Sequence, residues 1–435
     1  LLIFIRINLE PMKALLTTTF VMFCLIQIGQ AQTFSLDADI RPRFEYRHGF
    51  GNLLPEEAKP SAFVIQRSRL NVAYGDPKLK IYMSVQDVST WGDTQQLAIT
   101  DGNNSFSLFQ AWLNYSFTEN WSLKLGRQAI SYDDQRILGE VDWAMQGRFH
   151  DAAMLKYSKN QLDVDLAFAF NQESQKSVGS DYSIQGMFSY KVMQMAHAKK
   201  TWDKGSVSFL VMNNGFQKYT QDPVPQPDGV YYRQTTGTYF TFPVNFISFT
   251  GSAYIQTGKA SANMDLSAYQ YMLEAKYAPG KTAFFLGFEK LSGTDPQSTE
   301  KNNSFFPLYG TNHKFNGYMD YFYVGNHANS VGLKDIYGKI LVPVGKASLE
   351  SKLHFFSSHA SLGDGQSNYL GTELDLVFTK ALGKNVKMFL GYSQLFASES
   401  MSSLKGGIES SPVNNWGWAM LIVNPNLFKI SSDQK

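Results

Sequence analysis

Polar and apolar residues alternate without a slip from residue 34 to residue 47. The apolar positions are Phe34, Leu36, Ala38, Ile40, Pro42, Phe44 and Tyr46, and the polar positions are Ser35, Asp37, Asp39, Arg41, Arg43, Glu45 and Arg47. Because successive side chains of a β-strand point to opposite sides, this pattern predicts a strand with one apolar and one charged face. Its length exceeds the usual strand of about five or six residues and suits a tilted strand that crosses a bilayer.

The same period of two recurs along the rest of the chain, for example in residues 162–170 and 386–393. It predicts about eighteen strands, near 34–47, 62–74, 78–88, 105–117, 121–130, 150–158, 161–171, 181–194, 205–213, 230–242, 245–257, 265–277, 281–291, 333–342, 346–356, 369–380, 384–396 and 413–424.

The gaps between these strands alternate between short and long. Gaps such as 75–77 and 118–120 hold a few residues, whereas those at 89–104, 131–149 and 292–332 are long. A sandwich or a propeller gives no reason for this regularity, but short periplasmic turns and long extracellular loops are the rule in bacterial outer-membrane barrels. The predicted fold is therefore all-β, a transmembrane antiparallel up-and-down β-barrel of about 18 strands.

The N-terminal part of the chain is predicted to be a targeting segment. Residues 1–11 precede the first Met and are expected to be an over-extended start, and residues 12–31 have the charge, apolar run and small residues of a signal peptide. Residues 32–435 are then a single barrel domain. Because the one cysteine, Cys24, lies within the predicted signal, the mature chain would have no disulfide and no thiolate metal site.

Composition narrows the class further. Aromatic residues make up 14% of the chain and charged residues 17%. After residue 31 there is no apolar run of the roughly 18 residues that a membrane helix requires. The formal net charge of +2 gives no indication of a nucleic-acid partner.

Arginine is unevenly distributed, since the last one is Arg233. Five arginines fall on the predicted inner faces of the first two strands, and they are Arg41, Arg43, Arg47, Arg67 and Arg69. Arginine binds carboxylate or phosphate bidentately and keeps its charge, so this arginine ladder is predicted to guide anions. A structural role is the alternative, because Asp37, Asp39, Glu45, Asp163 and Asp165 also point inward and can neutralise the ladder.

Residues 125–143 form a predicted strand that runs into a highly charged loop. Here the chain resembles the alginate-export family of outer-membrane barrels. The similarity is carried by Gly126-Arg127-Gln128, Arg136-Ile137-Leu138-Gly139, Asp142-Trp143 and Gly147-Arg148-Phe149-His150-Asp151, with further cues at 310–315, 317–320 and 370–375. It spans residues 34 to 425, although only these stretches are specific.

The resemblance implies an eighteen-stranded barrel with an arginine-lined, anion-selective pore for polyuronate, gated by a loop on each side. Arg127, Arg136 and Arg148 are assigned to the pore by their motifs. A periplasmic gate would have to lie in 195–204. The expected function is a monomeric channel in outer-membrane lipid for anionic solutes, such as alginate or another acidic saccharide. The alternatives are a general porin and a barrel with an adhesive or envelope-structural role.

Enzymatic chemistry finds little support in the sequence. No histidine pair has metal-ligand spacing, and no Gly-x-Ser-x-Gly motif occurs. The best enzyme-like group is His313, His327 and Asp320 in the long loop 292–332, where a packing role is favoured. We therefore expect no catalytic residue, no metal site and no cofactor.

The loop 292–332 carries an apolar segment with Phe305, Phe306, Pro307 and Tyr309. Apolar side chains on an extracellular loop are expected to be buried. The loop is therefore predicted to fold over or into the barrel mouth.

Overall fold

A single closed β-barrel makes up the computed structural model, which describes residues 32–98, 105–184, 186, 188–298, 300–311, 313–363, 365–406 and 413–431. Within these ranges twenty strands share one sheet, and eighteen long ones form the wall. The predicted signal peptide and the residues before it lie outside the described residues.

The long strands are β1 (Thr33–His48), β2 (Ser61–Gly75), β3 (Leu79–Thr90), β4 (Ser107–Ser116), β5 (Trp121–Gln128), β6 (His150–Lys159), β7 (Leu162–Phe170), β8 (Val192–Trp202), β9 (Gly205–Tyr219), β10 (Pro227–Val244), β11 (Ile247–Ser261), β12 (Met264–Tyr277), β13 (Ala283–Leu291), β15 (Leu333–Val344), β16 (Ala347–Ser357), β17 (Tyr369–Gly383), β18 (Val386–Ala397) and β19 (Asn414–Val423). The minor elements are β14 (Lys301–Asn302), a 3₁₀ turn (Val324–His327), α1 (Glu399–Leu404) and β20 (Asn426–Ser431).

The barrel closes where the first and last long strands meet. β1 pairs antiparallel with β2 along its whole length, and its second half pairs with β19, for example Phe44 with Ala419. The first residues of β1 pair with β20 instead, which continues the line of β19 after a two-residue break. Both edges of β1 are thus hydrogen-bonded along most of its length.

The distribution of polar and apolar side chains between the inside and the outside is the reverse of that in a soluble protein. On β1, Ile40 and Phe44 are 43% and 45% exposed on the outside, whereas Arg41 and Arg43 are 7% and 5% exposed on the inside. On β7, Phe168 and Phe170 point outward while Ala167 and Ala169 are buried. An apolar outer band around a polar interior is the arrangement of a barrel that lipid surrounds.

Short turns lie at one rim, the turn end, and long loops at the other, the loop end. The turns 160–161, 203–204 and 245–246 have two residues each, whereas the loops 129–149 and 292–332 are long. The loop end has one tight turn of its own, 262–263. The fold therefore confirms the sequence prediction of a long-loop rim and a short-turn rim.

No helix in the described part of the chain combines the length and the apolar character needed to cross a membrane.

Seventeen of the predicted strands coincide with observed strands over most of their length, but the eighth shares only residues 192–194 with β8. The prediction was 181–194, whereas β8 spans Val192–Trp202. Residues 181–191 mimic a strand because aromatic residues recur in them, yet Tyr190 packs inside the barrel against His150. The contrast between the two faces of β8 is weak, since Met193 and Met195 face inward and Ala196 and Ala198 face outward.

The expected periplasmic gate in 195–204 is consequently wrong. Most of this range is β8 itself, and the connection to β9 consists of residues 203–204.

Two long loops from the loop end fold into the lumen. We call residues 129–149 the crossing loop and residues 292–332 the mouth loop. Their backbones join in a short parallel contact, in which Tyr309 N–H donates to Ile137 O at 3.0 Å and Gly139 N–H donates to Tyr309 O at 2.9 Å. Gly310 permits this approach, because a Cβ there would lie 2.1 Å from Arg136 O. Phe305, Tyr309 and their neighbours are buried, which confirms that the mouth loop folds into the barrel.

Candidate functional site: the barrel lumen

A group of charged side chains on β1 and β2 forms the first wall of the lumen. This arginine wall consists of Asp39, Arg41, Arg43, Glu45 and Arg67. Arg67 is fully buried and pairs with Asp39, while Arg43 Nε donates to Glu45 at 2.8 Å. The charges of this wall are therefore largely paired within it.

The crossing loop adds a carboxylate and a ring to the arginine wall. Asp142 accepts from Arg41 at 2.8 Å and from Arg67 at 3.0 Å. Burial acts to raise the pKa of Asp142, but the two guanidiniums outweigh it and hold the pKa below its usual value. The next residue, Trp143, lies with its ring 4.1 Å from the Arg43 guanidinium carbon and stacks on His313 at 4.1 Å.

Buried acidic side chains form a second wall on β13 to β17. This acid wall consists of Glu289, Asp335, His354, Glu373 and Asp375. Asp335 bonds His354 Nδ1 at 2.9 Å, and Glu373 and Asp375 are both fully buried. The wall therefore carries four carboxylates with one histidine among them.

The same two loops provide the partners of the acid wall. Arg136 of the crossing loop binds Glu289 bidentately at 2.8 and 3.0 Å. From the mouth loop, Asn316 donates to Glu289 at 2.9 Å and Met319 N–H donates to Glu373 at 2.8 Å. The loops are thus held to this wall by charge-assisted hydrogen bonds.

A third attachment lies near β7 to β9. Tyr132 donates to Asp165 at 2.7 Å, and Asp133 accepts from Ser208 at 2.7 Å and lies 3.3 Å from His197. Together with Arg136 and Asp142, these contacts show that the crossing loop reaches three separate parts of the barrel wall.

The predicted site residues fall into two groups. Most pair with carboxylates, and these are Arg41, Arg43, Arg47, Arg67, Arg127 and Arg136. Arg69 instead contacts Gln86, and Arg148 donates to Gly310 O at 3.0 Å. Within the described residues, no carboxylate lies at ion-pair distance from either of them.

Sequence reasoning missed part of the lumen. Arg233, on β10, donates to Ala260 O and likewise has no carboxylate partner in the described part of the chain. The acid wall is likewise absent from the predicted site, although Asp335 and Asp375 occupy inward positions on strands whose polar and apolar residues alternate. The period of two along these strands is the sequence signal that identifies such inward carboxylates.

Cavities lie on both sides of the joined loops. Towards the turn end, one of about 400 Å³ is lined by Arg41, Trp143, Thr311 and Lys314. Towards the loop end, one of about 530 Å³ is lined by Arg148, Tyr309 and residues of the loop 171–191. Two mouth-loop residues that are only two positions apart therefore line different cavities, Tyr309 the one towards the loop end and Thr311 the one towards the turn end.

The enzyme-like group of the mouth loop is dispersed. His313 Nδ1 lies 3.3 Å from Asp320, but its ring is stacked between Trp143 and Tyr318. His327 lines a different cavity, and burial lowers its pKa to about 3. The described residues include no cluster of three or more side chains arranged to hold a metal ion.

A family model described as alginate export matches residues 32–329 of this chain. This stretch covers β1 to β13, the crossing loop and most of the mouth loop. No curated protein gives a significant match.

Several solved outer-membrane proteins are similar in fold. OccK9 (OpdG) of Pseudomonas aeruginosa superposes with a TM-score of 0.61 at 12% identity, covering 91% of this chain and 98% of that one. OccAB4 of Acinetobacter baumannii gives 0.59 at 11% identity, over 92% and 99% of the two chains. The outer membrane protein opdK of P. aeruginosa gives 0.57 at 12% identity, over 92% and 99%. At these identities the similarity concerns the fold.

Proposed function

This chain belongs to the alginate export family and is a channel of the bacterial outer membrane, and from that premise we propose that it passes anionic solutes, with an acidic oligo- or polysaccharide such as alginate as its cargo. The proposal has it act as a monomer in outer-membrane lipid, without a cofactor and without a catalytic step. In this setting the turn end faces the periplasm and the loop end faces the outside.

The observation that carries the proposal is the position of cations without carboxylate partners on both sides of the joined loops. Lys314 is exposed in the periplasmic-side cavity and donates to the backbone oxygen of Asp134. Arg148 lies in the cavity on the outer side. A solute that crosses the barrel would meet positive charge before and after the loops, which favours anions along the path.

Of the predicted ladder, Arg69 is the member that we propose as a solute contact. Its guanidinium binds Gln86 and lies 3.8 Å from the ring of Phe109. Arg41, Arg43 and Arg67 are buried in ion pairs, so their proposed part is to hold the crossing loop.

Passage would require the crossing loop to leave at least one of its attachments. The attachment at Asp142 is the most accessible of them, since that side chain is 55% exposed. We therefore propose a channel that is gated by the crossing loop from within.

A general porin is the second candidate, and the pairing of six arginines favours it. Where each guanidinium has its own carboxylate, the fixed charge that a passing ion experiences is small. Such a channel would conduct salt with weak selectivity.

Ion selectivity in planar bilayers, measured as the reversal potential in a salt gradient, separates the two candidates. Anionic selectivity should be present in the native protein and should fall in the double variant Lys314→Gln/Arg148→Gln. Lys259→Gln is the matched control, because Lys259 is an exposed cation at the loop end that is paired with Asp265. Selectivity that is weak in the native protein and unchanged in the double variant would leave the general porin as the better account.

A further inference from the structure

The cavity on the outer side of the joined loops contains polar atoms that have no partner in the protein. The hydroxyl of Tyr309, a side chain that is 1% exposed, makes no hydrogen bond within the described residues. The same is true of Nε2 of His150, which is also buried. A buried polar group without a partner costs free energy, and both of these side chains line the cavity.

The protonation of these two groups makes them donors. Burial raises the pKa of Tyr309 well above its usual value, so the hydroxyl keeps its proton. The hydroxyl of Tyr190 lies 2.8 Å from His150 Nδ1. The tautomer in which Tyr190 donates to Nδ1 has its ring proton on Nε2, and a donor role for His150 requires this tautomer.

A guanidinium supplies the charge beside these donors. Arg148 uses one nitrogen for the backbone oxygen of Gly310 at 3.0 Å. Burial lowers its pKa to about 10, which leaves it charged at neutral pH. Arg233 on β10 is a second cation, and it interacts electrostatically with the Tyr309 hydroxyl.

The rest of the cavity offers flat apolar faces, amides and the ion pair between Arg127 and Asp151, whose charges offset each other. Its lining includes Phe149, Phe188 and Tyr182, together with the amides of Asn171 and Gln172. A volume of about 530 Å³ is within the range of roughly 300 to 1,000 Å³ that small-molecule sites occupy. Apolar faces with a few placed donors match a ligand that has both C–H and hydroxyl surfaces, as a sugar does.

We propose that Arg148, Tyr309 and His150 form a subsite that binds the carboxylate of one acidic sugar residue at the outer side of the crossing loop. The inference rests on the proposed function and identifies a binding site for the solute along its path through the barrel. Arg148 would bind the carboxylate oxygens with its remaining N–H groups, and Tyr309 and His150 would donate to the same group or to a neighbouring hydroxyl. The subsite differs from the predicted arginine ladder, whose members on β1 are already paired.

The experiment is calorimetric titration of the full folded chain in detergent with a trisaccharide of linked uronate residues. A neutral trisaccharide of the same length and a sugar phosphate are titrated in parallel. Binding of the uronate trisaccharide, and weaker binding of the other two, is the result expected. Equal binding of the neutral trisaccharide would overturn the role of the carboxylate, and tighter binding of the sugar phosphate would assign the cavity to a phosphorylated headgroup instead.

Tyr309→Phe is the sharpest variant. It removes an oxygen that has no protein partner, so the fold should keep its stability, while uronate affinity should fall by about threefold to tenfold. Arg148→Gln should reduce affinity by roughly tenfold to a hundredfold, because a charged hydrogen bond is lost. Lys218→Gln controls for net charge, since Lys218 is a cation of the loop end that pairs with Asp228 outside the cavity.

Failure of the subsite and failure of the channel proposal have different signatures. If the native protein conducts anions but binds no uronate trisaccharide, or if Tyr309→Phe and Arg148→Gln bind it as the native chain does, the subsite is wrong and the channel proposal stands. If the protein binds the trisaccharide but shows no anion selectivity, the subsite stands and the channel proposal fails.

Discussion

The arginine wall and the acid wall bury charge inside the same barrel in two different ways. On β1 and β2 most charges find opposite partners on the same or the next strand, as in Arg43 with Glu45. On β13 to β17 the carboxylates outnumber nearby cations, and they depend on neutral donors such as Asn316 and Ser393. Most charges of the arginine wall are paired within its own two strands, whereas the carboxylates of the acid wall need hydrogen-bond partners from outside their strands.

The crossing loop resolves this difference because it carries one charge for each wall. Arg136 forms an ion pair with Glu289 on the acid wall, and Asp142 forms ion pairs with Arg41 and Arg67 on the arginine wall. The comparison indicates that the loop is indispensable to the acid wall and supplementary to the arginine wall. Four experiments test this view.

Loss of Arg136 should have the largest effect. Arg136→Met leaves Glu289 buried without its cation, and removing one partner of a buried ion pair costs about 3–5 kcal/mol. Denaturant unfolding in detergent should report this loss. Adding Glu289→Gln to the variant should recover part of it, and a single variant as stable as the native protein would contradict the dependence of the acid wall on the loop.

Loss of the charge on Asp142 should be milder. Asp142→Asn weakens the contacts to Arg41 and Arg67, but Arg67 keeps Asp39, so we expect a cost of about 1–3 kcal/mol. The loop should also detach more readily, which would raise single-channel conductance. A destabilisation equal to that of Arg136→Met would show that the arginine wall depends on the loop just as strongly.

Acid should reproduce part of the Asp142 effect. Because the folded-state pKa of Asp142 lies below the unfolded value of about 3.9, its ion pairs contribute fully above about pH 4 and are lost as the pH falls through the folded-state pKa. Fluorescence of Trp143, the adjacent residue, should change in that window. Asp142→Asn should lack this step, and an identical acid response in both proteins would assign it to other groups.

The smallest effect is expected at an exposed pair. Arg127 and Asp151 have side chains that are 33% and 51% exposed. Arg127→Gln should cost at most about 1 kcal/mol, since exposed ion pairs contribute little. A loss comparable to that of Arg136→Met would mean that burial of an arginine in an ion pair does not determine how much it stabilises the barrel.

The sequence predicted the wall of the barrel well because alternation and loop length are local signals. The charged face of β1 is inward as predicted, and seventeen strands lie largely within their predicted ranges. β8 failed because Met193 and Met195 on its inner face differ little in polarity from the alanines on its outer face. The predicted signal peptide stays a prediction, as does the guiding role of the ladder.

The site was less predictable because it depends on contacts between distant segments. Arg127, Arg136 and Arg148 share one motif region, yet each binds a different partner, namely Asp151, Glu289 and the backbone oxygen of Gly310. The pairing of Arg136 with Glu289 joins residues 153 positions apart, and no local pattern encodes it. The unpartnered hydroxyl of Tyr309 is visible only once the mouth loop has been placed.

The seam between β1 and β19 has a consequence for how the molecule is made. The hydrogen bond from Trp416 to Glu45 joins residues 371 positions apart, so nearly the whole chain must be present before the cylinder can shut. Contacts of such long range form late and slowly, because the entropy of bringing the ends together precedes any gain. Until then two strand edges stay open to wrong partners. The crossing loop needs only β1 and β2 for its Asp142 contacts, so it can be positioned early, before the seam encloses it.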